Sequence, residues 1–448
     1  MARALTWCAA LSIWLLAPPI TAAPVTGADR VESVTLDNGM QIIIWPDQDI
    51  PNLALYNFVR VGSRNEGPGI TGLAHFFEHM MFNGTSTRAP GDFDRTLEAN
   101  GARSNASTSA DLTIYQDWFP KTALATVFEM EADRLSNLSF DPKIIESERG
   151  VVYSERRLRV DDSNIGRLQE QMQATAFTAH PYGIPTIGWP SDIEAWTLED
   201  LKKFFVSHYA PNNCTLVLVG DVEVKQAVAL ARKYLESIPS QPAPAAIRTR
   251  EPAQQGERRI SIQSTAQTPL LQVAYHGIAG NDPRQPALEL LMRILADGDA
   301  SRLHRALVEQ QQLAVSADGY ADAGFDPGLV WFYLSLPAGV DPERARGAFD
   351  QEIDRVVTQG VSVAELTRAR NQALADFWRG LATIDGKAEA LGTYAVLRGG
   401  YQKLFEAPRG YESVTTDDLK KLAVELLRPA SRTVGVLTES AASTTAQP

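Results

Sequence analysis

LEDLKKFFVSHYAPNNCTLVLV, residues 198 to 219, and TDDLKKLAVELLRPASRTVGVL, residues 416 to 437, are two copies of one pattern. They align without a gap: Asp200-Leu201-Lys202-Lys203 falls on Asp418-Leu419-Lys420-Lys421, and Pro211 on Pro429, each 218 positions on (418 − 200, 429 − 211). In each copy a Thr/Asp-capped amphipathic helix runs into a proline and then an apolar strand. A repeat at this spacing predicts two halves that end alike, and so duplicated domains. Between Ser237 and Arg258 the stretch SIPSQPAPAAIRTREPAQQGER carries no apolar periodicity and suits an extended connector. The expected units are a first domain over 30–240, a linker over 241–254 and a second domain over 255–438.

Around the repeat, strands are expected at 41–45, 53–61 and 329–336. Helices are expected at 72–82, 120–136, 142–160, 286–295, 342–359 and 363–382. The order is irregular, with no steady βαβ alternation and no GxGxxG fingerprint. The fold class read from this is α+β: two homologous domains, each an antiparallel sheet backed by helices, facing each other as a clamshell.

At 448 residues, 44% hydrophobic and 21% charged, the chain has the balance of a folded globular protein. A formal charge of −12 argues against nucleic acid as a partner, because phosphate binding needs a basic face. Residues 1–23, with Arg3, an apolar run from Leu5 to Leu16 and Thr21-Ala22-Ala23, read as a cleavable export signal, too short for a membrane span. The mature chain is then periplasmic or secreted. Cys8 leaves with the signal, and Cys214 remains alone, so no internal disulfide is expected. The last residues, 439–448, are expected to be a disordered tail.

The stretch Gly72-Leu73-Ala74-His75-Phe76-Phe77-Glu78-His79-Met80-Met81-Phe82 has no helix breaker after its first residue. His75 and His79 are four apart, on one helical face, and can reach one ion from adjacent turns. Glu78, on the edge of that face, can take a proton from a water at the metal. The His-x-x-Glu-His order reverses the commoner zinc helix. Two core histidines and an incidental glutamate is the bland reading, but burying those groups among Phe76, Phe77 and Met80 without an ion is costly. A third ligand should come from the helix around Glu148 and Glu155, which are seven apart and nearly eclipsed after two turns. Spacing does not choose between them.

These segments together resemble the pitrilysin/insulinase metallopeptidases, also called inverzincins, a family that includes the mitochondrial processing peptidase. The resemblance runs through Leu36-Asp37-Asn38-Gly39, the HFFEH stretch, Asn105-Ala106-Ser107-Thr108, ERGVVYSE from Glu148, HPYGIPTIGW from His180, and YAPNNCTLVLVGDV from Tyr209. It implies one Zn2+ per chain on His75, His79 and Glu155, with Glu78 as general base and Glu148 as a supporting acid. It further implies an exposed edge strand at Asn105 and Ala106 that receives substrate backbone. His180, His208, His276 and His304 are expected to be structural. ALELLMRILADG from Ala287, the counterpart of the HFFEH helix, has no histidine, so the second half should shape the substrate chamber without chemistry.

The expected activity is zinc-dependent endopeptidase cleavage of extended peptides. The expected partners are a peptide substrate and either a second copy or a homologous metal-free chain. A non-catalytic peptide-binding or assembly subunit is the first alternative, and a zinc hydrolase acting on something other than peptides the second.

Overall fold

The structure, a computed structural model, describes residues 28–264 and 268–439. The expected signal lies outside them, as does the expected tail except Glu439, which closes the last strand and so is ordered.

Two sheets carry the two halves. The first has the order β1 (Glu32–Thr35), β2 (Gln41–Pro46), β6 (Cys214–Gly220), β3 (Asn52–Val59), β5 (Thr113–Pro120), β4 (Arg103–Thr108). The second runs β7 (Arg258–Ser264), β11 (Arg432–Glu439), β8 (Leu270–His276), β10 (Leu329–Ser335), β9 (Ser316–Ala321). Strand for strand the second repeats the first from β2 onward. The quoted repeat is the helix-to-strand return of each half: Leu198–His208 into β6, and Thr416–Leu426 into β11. Thr197 with Asp200, and Thr415 with Asp418, form the same capping box at both helix starts.

The expected antiparallel sheets need one correction, since each contains a parallel pair, β2 with β6 and β7 with β11. The cause is topological. The returning strand inserts between its half's first long strand and the next one, and it must run antiparallel to the latter.

Neither sheet exposes a face. In the first, Ile42, Ile44, Leu53 and Leu55 point into a core with Phe76, Phe77 and Phe128 from that half's own helices. The alternate residues Ile43, Trp45, Ala54, Tyr56 and Phe58 are covered by Ala388 and Leu391, on the Ile384–Val396 helix of the second half. The second sheet is treated in the same way. Its Ala274, Trp331 and Leu437 lie under Leu168, Met172 and Ala176 of the Asn164–Ala176 helix from the first half. The two halves thus exchange a helix each, and glycines permit the close approach. A Cβ at Gly392 would fall 1.9 Å from the Phe58 ring, and one at Gly435 would fall 2.5 Å from Met172 Sδ.

Covering both faces makes β2 and β6 continuous apolar runs. Several expected helices are present with shifted ends. The helix expected at 142–160 stops at Arg156 and continues as a π-helical turn, Arg157–Asp161. Pro120, expected to open a helix, closes β5, and the helix itself is Leu124–Asn137. The connector, 241–254, has no regular structure but is pinned: the Glu251 carboxylate accepts the backbone N–H groups of Thr178, Ala179 and His180, each at 2.9 Å.

Candidate metal centre

The Leu73–Met80 helix starts where the buried Glu66 carboxylate accepts the backbone N–H groups of Gly72 and Ala74, at 2.7 Å each. Phe76 and Phe77 anchor its apolar side against Trp196, Phe204 and Phe205. That anchoring turns His75 and Glu78 toward a cleft of about 440 Å³, whose wall also includes Ala106, Thr108, Glu155 and Arg159.

His75 Nε2 and His79 Nε2 stand 3.5 Å and 3.2 Å from one atom, Glu155 Oε2. The donor atoms of the three residues lie within 4.8 Å of one another, the one such group of His, Cys, Asp or Glu among the described residues. Glu148, two turns earlier on the Pro142–Arg156 helix, does not enter this group. Its Oε1 lies 2.7 Å from His79 Nδ1, on the far side of the ring, and its Oε2 accepts from Asn83 Nδ2 at 2.7 Å. A carboxylate behind Nδ1 sets the ring's orientation and leaves Nε2 to face the cluster. Two imidazole nitrogens and one carboxylate oxygen, with a second carboxylate behind one ring, could hold a metal ion, and they match in type the donors that catalytic zinc sites use beside an open position.

The titration of these groups reflects their crowding. Burial, then the neighbouring His79, pushes His75 down to about 4. Burial would depress His79 as well, but its hydrogen bonds and charge contacts with Glu148 and Glu155 outweigh it and hold that ring up at about 9. The His79 hydrogen bond lowers the Glu155 pKa. Glu78 stands apart, accepting the Thr108 hydroxyl on Oε2 at 2.6 Å, and burial raises its pKa despite that bond.

Thr108 ends β4, the edge strand of the first sheet, whose outer side no strand pairs among the described residues. Ala106 lines the cleft, while Asn105, paired to Gln116 across β5, is exposed on the same strand outside the cleft wall. Sequence reasoning missed three contacts: Thr108 to Glu78, Asn83 to Glu148, and Arg159 to Glu155 at 3.0 Å. Helical spacing signals one of them, since Arg159 follows Glu155 by four.

Residues 46–189 match the family described as Insulinase (Peptidase family M16), and residues 195–373 match the description Peptidase M16 inactive domain. The protein called zinc protease PqqE of Helicobacter pylori is 31% identical over 90% of this chain and 91% of its own length. The chain belongs to peptidase family M16. Its fold agrees with that membership: the crystal structure of a protease from Helicobacter pylori superposes with a TM-score of 0.88 at 30% identity, covering 91% of this chain and 99% of that one. The periplasmic protease PqqL of Escherichia coli superposes with a TM-score of 0.76 at 21% identity. There 95% of this chain covers 49% of the other, so this M16 chain spans about half of it. The match described as inactive begins at residue 195, after the last of the clustered residues, Glu155.

Proposed function

We propose that this M16 chain is a zinc-dependent endopeptidase that hydrolyses extended peptides. The observation that carries the reading is the convergence of His75 Nε2 and His79 Nε2 on Glu155 Oε2, with Glu78 beside them but outside the group. His75, His79 and Glu155 would hold Zn2+, and the ion, when bound, supplies a Lewis acid that polarises the scissile carbonyl and acidifies water. Glu78 takes the proton from the attacking water and passes it to the leaving amine. Its raised pKa suits a group that must both accept and return a proton, and the Thr108 hydroxyl holds it in orientation. Glu148 keeps the His79 ring aligned. Ala106 and Asn105 on the free edge of β4 offer backbone to a substrate strand.

Export through residues 1–23, a division into 30–240, 241–254 and 255–438, and pairing with a second copy or a homologous metal-free chain complete the reading. The pairing is supported by the match to half of a longer protease.

Glu78→Gln tests it. The variant should keep near-normal zinc and lose cleavage of a quenched peptide by at least about a hundredfold, since it removes the base and no ligand. Cleavage close to wild type would sink the mechanism.

A further inference from the structure

A second cavity, of about 270 Å³, opens beside the metal cleft and shares Gln169, Gln173 and Thr186 with it. Both halves build it, with Tyr182 from the first and Tyr320, Asp322 and Trp331 from the second. It also lies in line with β4: Thr108 lines the metal cleft, and the residues that follow it, Ser109, Ala110 and Asp111, line this cavity. A strand added to β4 therefore runs past both.

Asp322 sits in the turn between β9 and β10. Its Oδ2 accepts the Leu329 N–H and the Trp331 indole N–H, both at 3.1 Å, and its Oδ1 accepts no hydrogen bond among the described residues. Among the described residues no lysine or arginine forms an ion pair with it, and the charge acting on it is that of another acid, Asp111, which raises its pKa. Asp111 is already occupied, by the Arg64 guanidinium and the Tyr182 hydroxyl at 2.8 Å each. Burial raises the Asp322 pKa, as expected of a carboxylate lacking a counter-charge. Tyr320 and Tyr333 stack at 5.7 Å and join their hydroxyls at 3.1 Å; Trp331 stacks on Tyr333 at 5.8 Å. A half-buried carboxylate among aromatic faces, with no ion-pair partner among the described residues, gains from an arriving cation in two ways, by charge neutralisation and by cation–π contact.

We propose that this cavity is a subsite for a basic side chain, arginine or lysine, of the peptide lying along β4, with Asp322 as the specificity-determining residue. The proposal rests on the peptidase reading above and names its substrate class.

The test uses the full mature chain loaded with zinc and peptide pairs that differ only by arginine or its neutral isostere citrulline, scanned across positions around the cut. At one fixed position arginine should exceed citrulline in kcat/KM by at least about tenfold. Asp322→Asn, which keeps an acceptor for Leu329 and Trp331, should bring that ratio close to one. Wild-type ratios near one at every position, or an unchanged ratio in the folded Asp322→Asn protein, overturn the subsite. Because the first arm uses wild-type protein, a variant that fails to fold leaves it decisive. Binding of the same pairs to Glu78→Gln, followed by tryptophan fluorescence, separates the two readings. Arginine-selective binding without any wild-type cleavage overturns the peptidase and keeps the subsite; cleavage without arginine selectivity does the reverse.

Discussion

Two glutamates seven residues apart on one helix make different contacts, and only atom positions tell them apart. Glu155 Oε2 faces both imidazole Nε2 atoms, whereas Glu148 touches His79 alone, from behind, and shares itself with Asn83. We predict that Glu155→Gln empties the site, because it removes one of the three proposed ligands. Glu148→Gln should keep most of its metal and bind it about 10 to 100-fold more weakly, the usual cost of a supporting partner. Metal analysis of both variants after dialysis against a weak chelator decides it. An empty Glu148→Gln beside a loaded Glu155→Gln would exchange the two roles.

At the scale of one element, the Val363–Gly380 helix shows how a cap becomes a pH-dependent term. Ser362 and Glu365 form its capping box, and Arg302 donates from Nε and a terminal nitrogen to Glu365 at 2.7 Å and 2.8 Å. The Arg302 bond, aided by Ser362, holds the Glu365 carboxyl down at about 2, against an ordinary 4.5. Because the folded value lies below the unfolded one, the stabilisation is complete above about 4.5 and is lost as pH falls toward about 2. Glu365→Gln keeps the hydrogen-bonding shape of the cap and removes the charge. It should cost about 1–2 kcal/mol at neutral pH, after allowing for solvent screening. Urea unfolding of both proteins at pH 7 and near pH 3 checks the sign, and a gap that stays equally wide in acid refutes the assignment. The π-helical turn Arg157–Asp161 belongs to this scale too. It ends the straight helix just after Glu155, and Arg159 within it reaches back to the Glu155 carboxylate.

At the scale of the molecule, the halves are locked by exchanged helices, and the Gly392 contact with Phe58 makes that lock testable. Alanine is the better helix former by about 1 kcal/mol, so a lone helix would gain from Gly392→Ala. Here the added methyl must displace a buried ring, and we expect a net loss of about 1–3 kcal/mol from overpacking. Phe58→Leu in the same background should return part of it, a non-additivity that thermal unfolding of the single and double variants measures. Additive effects would mean that the helix and sheet do not press on each other at this point.

Much of this was legible in the sequence. The repeat between Leu198 and Leu437 marked two halves that end alike, because capping and strand propensity are local and survive duplication. His75, Glu78 and His79 could be grouped because helical periodicity alone puts them side by side, and family resemblance pointed to Glu155. The rest depends on packing between segments distant in the chain. Periodicity could not choose Glu155 over Glu148, since both lie on one face and the choice depends on how two helices slide past each other. Periodicity does not show the β4–β5 hairpin, whose edge strand only the family resemblance implies, because that strand alternates weakly and its partner ends in Pro120. The helices crossing between halves, and the cavity that joins Tyr182 to Asp322, exist only once both sheets have formed. An apolar face announces in sequence that it will be covered, but what covers it is settled by tertiary contact, where shape and volume rather than local pattern decide.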